Sequence, residues 1–236
     1  MSKFNLSIII PVLNECNNIE KLTYKIIQQK KFINLEIIFV DDNSSDNSKI
    51  ILKKLKKKFK FFNPLFRKKK RDLTKSCFDG IKKSKFNNIL IMDGDLQHDP
   101  KYIPKMVKIF KKDNLDIVVG ARPLTKGPNS GLSETRRLAS RFLIYFFSFF
   151  KIKTLDPMSG FFLCKKSIYI KNKNYFFGKG FKILVDFLIN SKDEIKIKDY
   201  FIIFKRRYDD KSKMNFRILL ILINFYLSSL FKKILK

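Results

Sequence analysis

Short, nearly unbroken apolar runs alternate along the first half of the chain with longer stretches in which apolar residues recur every three or four positions. Residues 6–12 form the first run, and a helical pattern opens near Asn17; residues 35–40 form the second, and a helical pattern opens near Asp46. The run at residues 89–92 leads to a helix starting near Pro100, and residues 116–120 read as a further buried strand. Apolar runs this short, separated by amphipathic stretches, predict an α/β fold in which a mostly parallel sheet is covered by helices. Sheets of that kind bind ligands beyond the carboxyl ends of their strands.

The polar clusters fall at those ends. Asn14 and Glu15 follow the first strand, residues 41–46 (DDNSSD) the second, and residues 93–99 (DGDLQHD) the strand at 89–92. One such cluster is ordinary turn chemistry, because Asp and Asn bond to their own backbone and Gly permits positive φ. Several converging on one edge of a sheet predict a site.

The second half reads differently. Residues 133–153 begin as a basic helix and end in a block of aromatics, a composition suited to burial or to a membrane interface. Residues 180–190 predict a helix and 195–204 a strand. Residues 218–231 are mostly apolar, flanked by Arg217 and by Lys232, Lys233 and Lys236. That stretch falls short of the roughly 17–25 residues needed to span a bilayer. It predicts an amphipathic interfacial helix with snorkelling lysines, with a terminal helix packed on the core as the alternative. The stretch at 53–60 (KKLKKKFK) reads as a solvated helix face.

Composition changes the picture only in part. At 236 residues one substantial core is expected. A net charge of +30, from 51 Lys and Arg against 21 Asp and Glu, suggests nucleic acid or an anionic membrane as a partner. Lys, Ile, Phe and Asn are over-used along the whole chain while Trp is absent, so compositional drift produces the same balance. Cys16, Cys77 and Cys164 stand far apart beside a single histidine, which suggests neither a zinc site nor a disulfide framework and fits a reducing compartment. The N-terminus shows no pattern of an export signal.

Asp93 and Asp95 offer two carboxylates to one hard divalent cation, Mg²⁺ or Mn²⁺, with Gln97 as a further oxygen donor and substrate phosphates completing the shell. Arg122, Arg136, Arg137, Arg141, Arg207 and Lys213 are placed to hold phosphate charge. Asp41 or Asp42 is positioned to accept hydrogen bonds from a base or ribose. No P-loop and no GxGxxG occurs, so ATPase and dinucleotide readings lose their usual support. Acidic residues gathered at strand ends would repel a nucleic-acid backbone, and no nucleic-acid partner is expected.

These pieces together resemble the family 2 glycosyltransferases of the GT-A fold, and among them the polyprenol (dolichol) phosphate mannose synthases. The resemblance is carried by IIIPVLNE (8–15), FVDDNSSD (39–46), MDGDLQHDP (92–100), GAR (120–122), RRLASR (136–141), DPMSGFF (156–162), GFKI (180–183) and R-x5-K (207–213), in family order over residues 4–214. It implies a GT-A catalytic domain at 1–214 and a membrane-associated helix at 215–236. It places Pro11, Leu13, Glu15, Val40 and Asp42 around the nucleotide, and the metal on Asp93, Asp95 and Gln97. Gly94 would let backbone approach the sugar or ribose. The resemblance puts Arg122 and Arg136 against donor or acceptor phosphates, Arg141 and Ser159 near the acceptor phosphate, and Arg207 and Lys213 on a segment closing over the diphosphate. Leu13 stands where the family usually has Tyr, and Asp210-Lys211 where it usually has Gly-Glu. The implied reaction is inverting transfer of a sugar, foremost mannose from GDP-mannose, to a polyprenyl monophosphate at the cytoplasmic face of a membrane, with Asp95, Arg122 and Arg136 carrying the chemistry. Transfer of glucose or another sugar from a UDP-sugar, to polyprenyl phosphate or a surface glycan, is the alternative. His98, beside the metal loop, is expected to be a supporting residue.

Overall fold

The computed structural model describes residues 3–123, 150, 152–180, 183–204, 224–225 and 227–229. Its frame is a seven-stranded sheet in the order β3-β2-β1-β4-β6-β5-β7. The strands are β1 (Phe4–Val12), β2 (Ile33–Asp41), β3 (Leu65–Phe66), β4 (Asn88–Ile91), β5 (Ile117–Ala121), β6 (Phe162–Lys165) and β7 (Ile197–Phe201). The helices are α1 (Cys16–Ile27), α2 (Ser48–Lys58), α3 (Leu73–Lys83), α4 (Ile103–Lys112), α5 (Lys166–Asn172) and α6 (Ile183–Asn190).

β1 is a core strand because both of its faces are apolar. Leu6, Ile8, Ile10 and Val12 pack with Ile19, Leu22 and Ile26 of α1, Leu52 and Leu55 of α2, and Met106 and Phe110 of α4. Ile9 faces the other way, towards Cys77, Phe78 and Ile81 of α3 and Leu184 and Phe187 of α6. The same alternation holds in β4, where Leu90 joins the first cluster and Ile89 and Ile91 the second. Helices therefore cover both faces. Each fully buried Ile or Leu contributes about 1.5–3 kcal/mol, so a polar substitution at Ile8, which has no exposure, would break this layer first.

β1 runs parallel to β2 and β4, and β2 parallel to β3. β6 is the exception: it lies antiparallel to both β4 and β5, with Ile91 and Val119 each opposite Phe162. β5 and β7 are parallel. The mostly parallel α/β sheet expected from the sequence is present, but β3, α3, β6 and α5 had no counterpart in the sequence reading. β3 has only two residues, too few to show a period, and the short apolar run of β6 resembles any buried segment. The reversal at β6 has a functional consequence, because the chain enters β6 at the edge where β4 and β5 leave the sheet.

Helix starts follow local chemistry. Asp99 caps a short 3-10 turn, Pro100–Tyr102, by accepting from the Lys101 amide (3.1 Å), and α4 follows directly. Proline suits that first turn, where its missing N–H would have no intrahelical partner. Asp72 caps α3 in the same way, accepting from the Lys75 amide (3.0 Å). The helix expected over 180–190 is described over Ile183–Asn190, and Gly180 itself has a φ of 90°.

Most of the expected helix at 133–153 lies outside the described residues, as does most of the terminal stretch at 218–231. Of the latter, Asn224, Phe225 and 227–229 are helical. Phe225 is buried with Met158 and Val185 and meets Phe177 edge-on at 5.4 Å, while Leu227 is 58% exposed. Among the described residues no helix is long and apolar enough to cross a membrane.

Candidate active site

The loops leaving β1 and β2 are stitched to one another. The Asn14 amide donates to Ser44 Oγ (2.9 Å), the Ser45 amide to Asn14 Oδ1 (2.9 Å), the Glu15 amide to Ser48 Oγ (3.2 Å) and the Cys16 amide to Asp46 (3.0 Å). Asn14 and Asn43 both have positive φ (57° and 63°), a conformation that asparagine tolerates better than most residues. Burial alone would raise the Asp46 carboxyl, but hydrogen bonds from Ser48 and Cys16 outweigh it and hold the group below its ordinary value. Pro11 is buried in β1 opposite Val40; Leu13 and Glu15 are half-buried on the loop beyond it, and Glu15 accepts from the Asn18 side chain (2.8 Å). Val40 is wholly buried in the core, so the bulk of its side chain serves packing.

The structure separates the two aspartates that the sequence left as alternatives. Asp42 is engaged on both carboxylate oxygens, Oδ1 by the Arg67 guanidinium and Oδ2 by the Asp72 amide (2.7 Å). Burial pushes its carboxyl up, against the pull of that amide and of Arg67. Asp41, with no exposure, accepts from the Ser44 amide (3.3 Å) through Oδ1, whereas its buried Oδ2 has no hydrogen-bond partner. Arg67 went unnoticed in the sequence. It is 5% exposed and also bonds Asp79 (2.9 Å) and Ser76 Oγ (2.9 Å), yet its buried Nη2 has no partner. Unsatisfied buried polar atoms are rare and costly, and an acceptor and a donor left over beside one loop fit a ligand that supplies both complements. Only its place at the head of the basic run RKKKR marks Arg67 in the sequence, and nothing there distinguishes a buried cation from solvated ones.

The loop after β4 carries Asp93, Gly94, Asp95, Leu96, Gln97 and His98. Asp93, Asp95 and Gln97 are half-buried at the open edge, and the Asp93 side chain keeps 37% of its exposure. The Gln97 amide donates to Asp95 Oδ1 (3.1 Å). Leu96 has a φ of 64°, uncommon for a bulky residue, so the loop stores backbone strain. A Cβ on Gly94 would lie 2.6 Å from Val12 Cγ1, so a larger residue there would force Val12 or the loop to shift. His98 is buried between aromatic rings, and its Nδ1 accepts from the Asp93 amide (3.0 Å).

Arg122 leaves the end of β5 on the same edge and is gripped by Asp156, through Nε (2.8 Å) and Nη2 (3.0 Å), with a further bond from its own amide (3.2 Å). Burial works against the guanidinium's charge, but Asp156 more than compensates, and its pKa stands above the ordinary arginine value. The Arg122 Cζ also lies 5.1 Å from the centre of the Phe204 ring. Ser159, expected near the acceptor phosphate, is 3% exposed and its hydroxyl donates to the Gly120 carbonyl (2.8 Å); it pins the entry to β6 against β5.

The structure thus brings Asp93, Asp95, Gln97 and Arg122 to one edge, with Asp41, Asp42 and Arg67 on the loops of neighbouring strands. Arg136, Arg141, Arg207 and Lys213 lie outside the described residues. Two carboxylates and an amide oxygen on one half-buried loop form a hard-donor set that could hold Mg²⁺ or Mn²⁺. Among the described residues no group of three or more His, Cys, Asp or Glu side chains gathers in a way that could hold a metal, so a cation here would draw part of its shell from elsewhere.

Residues 7–172 match the family model described as Glycosyl transferase family 2. The chain is similar to a dolichol-phosphate mannosyltransferase of Pyrococcus furiosus, 32% identical over 192 residues that cover 79% of this chain and 53% of the relative. It is also similar to a dolichol-phosphate mannosyltransferase of Mycosarcoma maydis, 27% identical over 202 residues, covering 78% of this chain and 65% of that one. The matched region thus spans between about half and two thirds of these relatives. Among solved structures, glucosyl-3-phosphoglycerate synthase from Mycobacterium tuberculosis, in complex with Mn²⁺, UDP-glucose and phosphoglyceric acid, superposes with a TM-score of 0.75 at 15% identity, covering 96% of this chain and 79% of the other. At that identity the likeness is one of fold.

Proposed function

The chain belongs to glycosyl transferase family 2, and on that premise we propose that it transfers a sugar, foremost mannose from GDP-mannose, to a polyprenyl monophosphate. The observation that carries this reading is the meeting of the Asp93-Asp95-Gln97 loop and the clamped Arg122 at one edge of the sheet. Relatives named as dolichol-phosphate mannosyltransferases support mannose as the sugar and a polyprenyl phosphate as the acceptor.

In this reading Asp93, Asp95 and Gln97 hold a divalent cation, as the Mn²⁺ in the solved glucosyltransferase suggests. When bound, the cation supplies Lewis-acid stabilisation of the leaving diphosphate. Arg122 adds fixed positive charge near that group, with no reorganisation at the moment of reaction because Asp156 already holds it in place. Asp41 and Asp42 are the carboxylates offered to the nucleobase or ribose, and the orphaned Asp41 Oδ2 and Arg67 Nη2, both enclosed by protein, would meet a base only after side-chain movement. The acceptor phosphate oxygen attacks the anomeric carbon as the bond to the nucleoside diphosphate breaks, with inversion. A phosphate monoester is already ionised near neutrality, so the attack needs no strong general base. The buried, main-chain-bonded state of His98 agrees with that. Residues 136–153 and the terminal helix would seat the enzyme on an anionic leaflet, its cytoplasmic face, where the lipid tail of the acceptor resides.

The test is incubation with a panel of GDP- and UDP-sugars and polyprenyl phosphate, with and without Mn²⁺. Metal-dependent formation of a glycosylated lipid phosphate is expected, with GDP-mannose preferred. Transfer from a UDP-sugar alone would overturn the donor, and no transfer from any donor would overturn the reaction.

A further inference from the structure

Asp93 is half-buried, and two residues stand against its backbone and its carboxylate. Its amide donates to His98 Nδ1 at 3.0 Å, and an imidazole nitrogen that accepts carries no proton, so His98 is assigned as the neutral tautomer with its hydrogen on Nε2. That Nε2 lies 3.8 Å from Asp93 Oδ2, turned towards the carboxylate though beyond hydrogen-bond length. The ring cannot drift from this pose. It stacks on Phe161 (centroids 5.1 Å apart, planes at 12°), meets Phe204 edge-on at 5.0 Å, and is 2% exposed. On the other side of the carboxylate stands Gly160. A Cβ there would lie 2.8 Å from Asp93 Oδ2 and 2.9 Å from Oδ1, closer than real Cβ contacts come.

We propose that His98 and Gly160 form a socket that sets where Asp93 presents its carboxylate, making both positioning residues of the cation site; the proposal rests on the metal-dependent transfer described above. Neither residue touches the reacting atoms. His98 fixes the backbone from which Asp93 projects, and Gly160 leaves the space the carboxylate occupies. The two arrive from different parts of the chain, and the reversed strand β6 is what brings them together, because residue 160 precedes the β6 residue Phe162 that lies opposite Ile91 of β4. Phe204 completes the arrangement by touching both His98 and Arg122, so the cation loop and the phosphate-facing arginine share one aromatic wall. Groups behind a metal ligand that fix its orientation typically influence affinity by about 10–100-fold.

The experiment is direct titration with Mn²⁺ in the presence of saturating GDP or UDP, followed by loss of the aqueous Mn²⁺ signal in electron paramagnetic resonance, alongside steady-state transfer. His98→Phe keeps a stacking ring and removes the acceptor; His98→Asn restores an acceptor oxygen near the position of Nδ1 and removes the ring. We expect His98→Phe to weaken Mn²⁺ binding by about tenfold or more and to melt somewhat lower, and His98→Asn, which also melts lower, to recover most of the affinity. Gly160→Ala should weaken Mn²⁺ binding to a similar degree and provides a second route should His98→Phe fold poorly. Native Mn²⁺ affinity in either His98→Phe or Gly160→Ala, with the wild type binding normally, overturns that residue's part in the socket and leaves the enzyme reading standing. A wild type that binds no Mn²⁺ even with GDP or UDP present overturns the cation reading itself, and the socket with it.

Discussion

Asp156, with no exposure to solvent, grips the side chain of Arg122 through a two-pronged ion pair and also accepts from its amide, so one carboxylate fixes both the backbone and the guanidinium of the residue at the end of β5. The pair joins the GAR and DPMSGFF stretches, which lie 34 positions apart in the chain. Breaking a buried pair from one side leaves an uncompensated charge, at a cost of about 3–5 kcal/mol. Asp156→Asn should therefore lower the urea midpoint and reduce kcat more than tenfold. Unchanged kcat in a folded variant would mean that the arginine needs no clamp.

Asp95→Asn tests the cation loop more gently. The amide oxygen of Asn can still accept from the Gln97 amide, which now donates to Asp95 Oδ1 at 3.1 Å. The circular dichroism spectrum should match the wild type while transfer disappears. Normal turnover in this variant would refute the assignment of Asp95 to the cation.

Gly94→Ala would set a methyl 2.6 Å from Val12 Cγ1 and push the loop away from β1. Overpacking of this kind costs about 1–3 kcal/mol. Thermal denaturation should show the loss, and Val12→Ala combined with Gly94→Ala should recover part of both stability and turnover. Purely additive effects would place the strain somewhere other than this contact.

Acid stability should depend on Asp46. Its carboxyl is depressed below the ordinary 3.8 in the fold, so the stability it lends is fully present above that value and is lost as pH falls through the lower folded value. Asp46→Asn should thus unfold more easily at neutral pH and show a shallower loss of stability below about pH 4. Urea melts across that range measure the slope; an unchanged slope would remove Asp46 from the account. Asp116, also held low by Lys165 and the Lys196 amide, keeps some acid sensitivity in the variant.

The proposed membrane role of the terminal stretch can be probed separately from the packing of Phe225. Deleting 215–236 should reduce binding to anionic liposomes and lower the melting temperature, because Phe225 packs against Met158 and Val185. Phe225→Ala should lower the melting temperature alone. If the deletion leaves liposome sedimentation unchanged, the helix is structural.

The sequence by itself determined the sheet-and-helix grammar and the place of the acidic loops. Residues 6–12, 35–40 and 89–92 are apolar enough on both faces to be read as core strands, and the period of two or of about four residues reports which neighbour a side chain must bury against. The polar loop at 93–99 was equally legible, including its division into an Asp-x-Asp segment and a capped helix start at Asp99 and Pro100. Such features are local: a turn, a cap or a buried strand is specified by residues within a few positions of one another.

Only the tertiary structure decided which polar groups are partners and which are left over. Asp41 and Asp42 are adjacent and chemically alike, yet Arg67 and the Asp72 amide engage Asp42 on both oxygens while one oxygen of Asp41 stays unpaired. Likewise no local pattern announces that β6 runs against β4 and β5, which carries Asp156 to Arg122 and Gly160 to Asp93. Strand order and direction depend on contacts between residues far apart in sequence, and the buried charges depend in turn on that order. The chemistry of the loops was therefore written in the chain, and their geometry came from the packing of distant strands.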